Sequence, residues 1–269
     1  MHFDEGKPGV TGNPGPRDRF DVVDKFMEAS TFRNMHQPDQ RKGLPQPPLA
    51  DEIPAGARVL NLPDHTPTTS AGLSLSEALR KRRSIRSFSL APVSLVELSY
   101  LLWATQGVQR VTDRPATLRP VPSAGSRHPF ETYLLCNRVE GLTPGLYKYA
   151  ALDHKLVEVD AGGGVPARFT EAICDQPLTI LTENAVTFIW VAVAYRSVYR
   201  YSERAYRFMH LDAGHVCQNL YLAALEVGAG CCAIGGYHDG VINRLLGLDG
   251  KERFVIYAAA VGKVPPSAP

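Results

Sequence analysis

Phe188-Ile-Trp-Val-Ala-Val-Ala-Tyr195 is a near-continuous apolar run. Its β-branched and aromatic residues do not alternate with polar ones, which predicts a central strand buried on both faces. Working outward, Glu131 to Asn137 (ETYLLCN) predicts a second strand. Gly145 to Tyr149 and Lys155 to Val159 predict a hairpin around Leu152-Asp153-His154, with Tyr147 and Tyr149 on one face for core or interface packing, and Arg253 to Val261 a last strand. Helices fall between these segments. Ser74-Leu-Ser-Glu77 and Ser94-Leu-Val-Glu97 are capping boxes, in which serine and glutamate satisfy each other's free backbone N–H groups. The first opens a helix through Leu79 that ends in Arg80-Lys81-Arg82-Arg83. The second opens a helix with the stripe Leu95, Leu98, Leu101, Leu102 and Ala104, with Trp103 expected in the core and Gly107 as terminator. Leu211 to Val227 predicts a long helix closed by Gly228, with Val216, Leu220, Ala223, Ala224 and Val227 on one face. Asp239 is expected to cap a short helix ending at Gly247. Helices and strands mix without strict alternation, so the expected class is α+β, a sandwich built around one sheet.

Composition narrows the function classes. Of 269 residues 44% are hydrophobic, and 29 Lys+Arg against 27 Asp+Glu leave a net charge of +2. Disorder along the whole chain needs fewer apolar residues and more net charge. A general nucleic-acid binder needs a strongly basic surface, so no nucleic-acid partner is expected. MHFDEGKPGV is not a basic-then-apolar leader, and the longest apolar stretch, Val227 to Tyr237, is well short of the roughly 18 residues that span a bilayer. The expectation is a cytoplasmic protein with no membrane partner. The five cysteines (Cys136, Cys174, Cys217, Cys231, Cys232) are odd in number and lack CxxC spacing, so neither disulfides nor a metal site is expected.

The first seventy residues read differently from the rest. Prolines at 8, 14, 16, 38, 45, 47, 48, 54, 63 and 67 suit an extended arm rather than a core. Residues 1–70 are therefore expected to form an extension packed on a main domain of 71–264, with 265–269 as a tail. Within the arm, Phe20, Val23, Phe26 and Met27 recur at helical spacing and predict a short helix over Phe20 to Ser30.

Three clusters could carry chemistry. Arg80-Lys81-Arg82-Arg83-Ser84-Ile85-Arg86 is either a solvated basic helix C-terminus, favoured by the helix dipole, or a phosphate clamp of guanidinium forks and a serine hydroxyl. Pro122-Ser-Ala-Gly-Ser-Arg-His-Pro129, just before ETYLLCN, has small residues that admit a flat ligand, although such clusters are mostly turns. Cys231-Cys-Ala-Ile-Gly-Gly236 reads best by itself as a turn feeding the next helix. Neither GxxxxGK[ST] nor a strand-to-helix GxGxxG is present, so ATP and dinucleotide Rossmann binding lack their usual sequence support.

Together these clusters resemble the nitroreductase family, homodimeric flavin enzymes, and most closely its SagB-type dehydrogenase branch. The resemblance is carried by RRSIRSF (82–88), LSYLLWATQGV (98–108), VPSAGSRHPFETYLL (121–135), GLYKY (145–149), RYSERAYRF (200–208), DAGHVCQNLYLAA (212–224), IGGY (234–237) and AVGKV (260–264), with TFRN (31–34) and LPQPPL (44–49) in the arm. It implies a nitroreductase-like fold, a mainly antiparallel sheet flanked by helices, and a homodimer with FMN at the subunit interface. By the same resemblance Arg82, Arg83, Ser84 and Arg86 bind the FMN phosphate and ribityl chain, and Lys263 returns to the phosphate. Pro122, Ser123, Ala124, Gly125 and Ser126 line the ring from the partner subunit, and Ile234, Gly235 and Gly236 lie near its reactive edge. The activity that the resemblance implies is hydride transfer from NAD(P)H through FMN to a small-molecule or peptide acceptor.

One position departs from the branch. Azoline-oxidising members carry a Lys-Tyr pair before the helix that begins near Asp212, and here the pair is Arg200-Tyr201. Arginine stays protonated and cannot serve as a general base, whereas the Tyr201 phenol still exchanges a proton. Arg200 and Tyr201 are thus the catalytic candidates, with an acceptor other than an azoline. Two alternatives stand beside this one: an azoline (thiazoline/oxazoline) peptide dehydrogenase working with a maturation partner, and a flavin-binding protein without turnover. His215, on the long helix, is expected to be structural.

Overall fold

In the computed structural model, residues 20–65, 73–174, 177 and 179–265 are described. The expected boundary at 70/71 and residues 266–269 of the expected tail lie outside them. In chain order the helices are α1 (Asp21–Ala29), α2 (Leu75–Lys81), α3 (Leu95–Gln106), α4 (Val165–Arg168), α5 (Thr179–Thr182), α6 (Ala194–Tyr201), α7 (Ala205–Glu226) and α8 (Asp239–Leu245). The strands are β1 (Val59–Asn61), β2 (Arg110–Val111), β3 (Thr117–Leu118), β4 (Phe130–Cys136), β5 (Gly145–Ala150), β6 (Lys155–Ala161), β7 (Val186–Val193), β8 (Ala229–Ile234) and β9 (Arg253–Lys263).

Seven strands form one sheet in the order β1-β6-β5-β4-β7-β9-β8, and every neighbouring pair is antiparallel. The chain thus adopts the α+β architecture expected of it. Strand β7 lies in the interior of the sheet between β4 and β9, with Phe188 opposite Leu134 on β4 and Ala259 on β9. Its lack of alternation has a direct cause, since both faces are covered. Phe188 and Trp190 pack with Leu98 and Leu101 of α3 and with Val216 and Leu220 of α7. Ile189 and Val191 point the other way, to Phe169, Ile180 and Ile242. Both capping boxes form as read, at Ser74–Glu77 and Ser94–Glu97.

Four local expectations need correction. The apolar run predicts strand through Tyr195, but β7 stops at Val193, which pairs with Arg253, the first residue of β9. No strand continues beside it, so Ala194 starts α6 instead. The long helix begins at Ala205 rather than Leu211, after a tight turn over Ser202–Arg204 that no side-chain cap announces. Cys231 to Ile234, read as part of a turn, are the last four of the six residues of edge strand β8, registered against β9 from Ala229↔Lys263 to Ile234↔Ala258. Its small, glycine-bearing residues hide the strand pattern. Asp239 does not cap α8: it is the first helical residue and His238 precedes it.

The arm crosses one end of the sheet. Gln40 N–H donates to the Tyr199 carbonyl (2.9 Å), and the Tyr199 hydroxyl donates to the Leu44 carbonyl (3.0 Å). Asp51 accepts from Lys148 (2.5 Å) and Arg196 (2.9 Å) and also pairs with Arg253, while Arg196 reaches Glu131 at 2.6 Å. Helix α1 buries none of its residues, and Phe20, Val23, Phe26 and Met27 remain 39% to 54% exposed. Tyr147 and Tyr149 are buried, whereas Trp103 is only half-buried and stacks on His65 of the arm. All five cysteines are free thiols, four of them buried. Among the described residues no helix is long and apolar enough to cross a membrane.

Candidate active site

The basic segment leaves α2 at Arg82 and runs beside the edge strand. Ser84 bridges Cys231, Ile85 N–H donates to the Cys231 carbonyl (3.0 Å), and Ser89 N–H donates to the Lys263 carbonyl (2.8 Å). Glycine is required where the two segments pass, because a Cβ on Gly230 would sit 2.8 Å from that of Ile85. Tyr221 of α7 ties the parts together. Its hydroxyl accepts from Ala233 N–H (2.8 Å) and shares a hydrogen bond with Ser84 Oγ (3.0 Å), while the Arg82 guanidinium lies 5.4 Å from its ring centre. Burial pushes the Tyr221 phenol up from its ordinary pKa, against the opposing pull of these two hydrogen bonds.

Arg83 folds back on the α2 terminus, donating to the Arg80 and Arg82 carbonyls at 2.8 Å. These are acceptors that a helix end leaves free. Arg83 and Arg86 are exposed, and no ion pair among the described residues involves Arg82, Arg83 or Arg86. Arg83 lines a cleft of about 440 Å³ together with Arg80, Lys81, Ile85 and Tyr221. Lys263 differs from these arginines: its ammonium is held by Glu97 (2.5 Å) and the Val227 carbonyl (2.8 Å).

The second cluster is a tight turn fixed from below. Ser123 Oγ donates to the buried Asp212 carboxylate (2.6 Å), Ala124 N–H donates to the same group (3.2 Å), and His128 N–H donates back to Ser123 Oγ (2.9 Å). Burial pushes the Asp212 carboxyl up, and the bonds from Ser123 and Ala124 pull it down. Gly125 is left-handed at φ 58°, followed by Ser126 at 53°. A Cβ on Gly125 would collide with the Tyr201 hydroxyl and approach Arg200 Nε to 3.0 Å. The two catalytic candidates therefore touch the loop expected to face the ring. They end α6, where Ser202 reverses the chain at φ 47°. The Tyr201 ring meets Phe208 edge-on with centroids 4.8 Å apart, and the Arg200 guanidinium lies 5.6 Å from the Tyr201 ring centre. Pro122 is exposed at the mouth of the loop.

The third cluster closes β8. Ile234 is fully buried, Gly235 is exposed, and the Gly236 carbonyl accepts from Cys174 N–H (3.0 Å). A Cβ at Gly235 would meet only the Tyr257 ring, at 4.0 Å, so the chain's own packing does not demand glycine there.

Among the described residues the first two clusters line separate clefts. Asp212 anchors the Ser123–Ser126 turn and Tyr221 anchors the Arg82–Arg86 segment, and the two anchors stand about 14 Å apart along α7 at a rise of ~1.5 Å per residue. The clefts beside Arg83 and beside Gly125 have different walls. Sequence reasoning missed both anchors. A signal did exist for Asp212, because it falls on the same helical stripe as Val216 and Leu220, where an unbonded carboxylate is costly. His215 is exposed.

Residues 79–263 match the family model described as the nitroreductase family. A Methanocaldococcus jannaschii protein provisionally named a nitroreductase is 33% identical over 174 residues, which is 65% of this chain and 84% of the relative. The trifolitoxin-processing protein of Rhizobium leguminosarum bv. trifolii is 29% identical over 154 residues, covering 56% of this chain and 41% of that protein. A provisionally named nitroreductase of Anabaena variabilis superposes with a TM-score of 0.63 at 25% identity, over 78% of this chain and 42% of that one. The chain thus spans less than half of the last two.

Proposed function

This chain belongs to the nitroreductase family of oxidoreductases, and from that premise we propose an FMN-dependent NAD(P)H oxidoreductase that works as a cytoplasmic homodimer. The observation that carries the reading is the separation of the two half-sites along α7. We infer that a phosphate-gripping half around Arg82, Arg83, Ser84 and Arg86 and a ring-facing half around Pro122 to Ser126, each braced by its own anchor on α7, come from different subunits and meet at the dimer interface. The residues present suit the cofactor. Arg82, Arg83 and Arg86 are arginines without carboxylate partners among the described residues, as expected of side chains kept for a phosphate. Gly235 leaves backbone open to a group from outside the chain.

Bound FMN supplies reversible two-electron hydride chemistry. The rest falls to the chain. Arg82, Arg83, Ser84 and Arg86 bind the phosphate end, and the Asp212-braced turn holds the ring face. Ile234, Gly235 and Gly236 present backbone where negative charge develops. Lys263 reaches the phosphate only by leaving Glu97 and Val227. Tyr201 exchanges a proton with the acceptor, and Arg200 orients its phenol and contributes fixed positive charge. Purified protein should be yellow, dimeric by light scattering, and bleached anaerobically by NADH or NADPH. Colourless monomers that take up no added flavin would overturn the reading, and flavin that neither nicotinamide bleaches would mark a non-catalytic binder.

A second reading, the azoline peptide dehydrogenase of the SagB-type branch, is favoured by the likeness to the trifolitoxin-processing protein. Arg200 stands against it. The expected result is no azoline oxidation by the wild type and a gain of it in Arg200→Lys; a competent wild type with no gain in the variant would restore the azoline reading.

A further inference from the structure

Beside the ring-facing turn lies a cleft of about 280 Å³ between the β2–β3 hairpin and the end of α6. Arg114, Arg127 and Arg200 line it together with Gly125, Ser126 and Thr112, and no lining residue is acidic. None of these three arginines forms an ion pair among the described residues.

Arg127 is built in rather than draped over the surface. It is 4% exposed, its Nε donates to the Arg196 carbonyl (2.8 Å), and its Nη1 donates to Gln46 Oε1 (3.3 Å). Gln46 in turn donates to the Pro115 carbonyl at 2.7 Å, so the arm fastens the hairpin to the arginine. Burial, then the charge of Arg200, push the Arg127 guanidinium down, and Arg114 adds to the effect. Three like charges around one small space destabilise the folded chain unless something negative enters it.

We propose that this cleft binds the anionic end, a carboxylate or phosphate, of the electron acceptor, so that the remainder of the molecule lies toward Tyr201 and the flavin ring. Guanidinium forks match both oxoanions, and the fixed Arg127 sets the depth at which the anion stops. Arg114, at the exposed hairpin tip, completes the cage from outside. This inference rests on the oxidoreductase reading above, and its test separates the two.

The probes are para-nitrobenzoate and its neutral analogue para-nitrobenzamide, titrated by calorimetry into the protein as purified. The wild type should bind the carboxylate at least about tenfold more tightly, with the preference shrinking as sodium chloride is raised. Arg114→Gln should lose most of that preference. Arg110→Gln, on the same hairpin but outside the cleft, should keep it. Equal binding of the two probes by wild type, or an unchanged ratio in Arg114→Gln, overturns the proposal. So does a ratio that holds while anaerobic bleaching by NADH or NADPH slows in Arg114→Gln, since the cleft would then serve the donor's phosphates. Absence of flavin would sink the oxidoreductase reading but leave the titration fully interpretable. A yellow, bleachable protein with no carboxylate preference would sink the cleft alone.

Discussion

Ser123 Oγ donates to the buried Asp212 carboxylate at 2.6 Å, so a loop ahead of β4 takes its shape from a helix 89 positions away. The bond does more than close a turn. The same carboxylate receives Ala124 N–H, and Ser123 Oγ in turn receives His128 N–H, so two donors rest on Asp212 directly and a third through Ser123. Asp212→Ala leaves two donors unsatisfied and should cost about 1–3 kcal/mol in urea denaturation. Asp212→Asn keeps a single acceptor and should fall between. Both should release flavin more readily, read as fluorescence of the free cofactor. An alanine variant with wild-type stability would remove Asp212 as the anchor.

Gly125 and Tyr201 share a space too small for one more carbon. Gly125→Ala carries two penalties. A non-glycine at φ 58° costs about 1 kcal/mol or more, and the methyl strikes the Tyr201 hydroxyl. Tyr201→Phe removes the struck atom. The double variant should therefore be less destabilised than the sum of the singles by about 0.5 kcal/mol or more. Strict additivity would show that Tyr201 moves freely and is not held against the turn.

The frame of this protein was legible because its signals are local. The capping boxes at Ser74 and Ser94 formed as read, and the unbroken run around Trp190 became the strand covered on both faces. What stayed hidden depends on distant partners. Strand β8 exists because β9 runs beside it, not because Gly230, Cys231 and Cys232 favour extended backbone. The site splits in the same way. Arg82–Arg86 and Ser123–Ser126 stand out as segments, but their anchors, Tyr221 and Asp212, look like ordinary helix residues until the hydrogen bonds are seen. Helix α1 was legible as a helix from its stripe, but the stripe did not tell which face would be buried, since its apolar side chains stay exposed.

His128 should make stability fall on acidification. Burial, reinforced by the charge of Arg119, pushes its pKa from 6.5 down to about 3. The folded chain keeps the ring neutral while the unfolded chain protonates it, so stability is complete above pH 6.5 and drains as pH drops toward 3. The slope approaches about 1.4 kcal/mol per pH unit for one proton. His154, also pushed down by burial, acts in the same direction. His128→Asn tolerates the left-handed φ of 42° and carries no titrating ring. The stability difference between wild type and this variant, measured in urea from neutral to acid pH, should shift steadily in the variant's favour. A difference that is flat with pH would mean that His128 is not held neutral.

Asp51 should decide whether the arm stays on the sheet. It is the acceptor for Lys148, Arg196 and Arg253, and Arg196 also spans to Glu131 while its Nε donates to the Pro48 carbonyl (3.0 Å). Asp51→Ala leaves Arg196, itself 3% exposed, beside one carboxylate instead of two, with Lys148 short of a partner as well. Breaking one side of a buried ionic cluster costs about 3–5 kcal/mol, and less here because Asp51 is partly exposed. The loss should fall on the arm first, since the sheet keeps its ladders without Asp51. Limited proteolysis should therefore cut Asp51→Ala within residues 20–60 well before the main body, and Arg127 should lose the Gln46 contact that steadies it. An arm as resistant as in wild type would show that its other ties, the Gln40 and Leu44 hydrogen bonds and the pairing of β1 with β6 among them, hold it without Asp51.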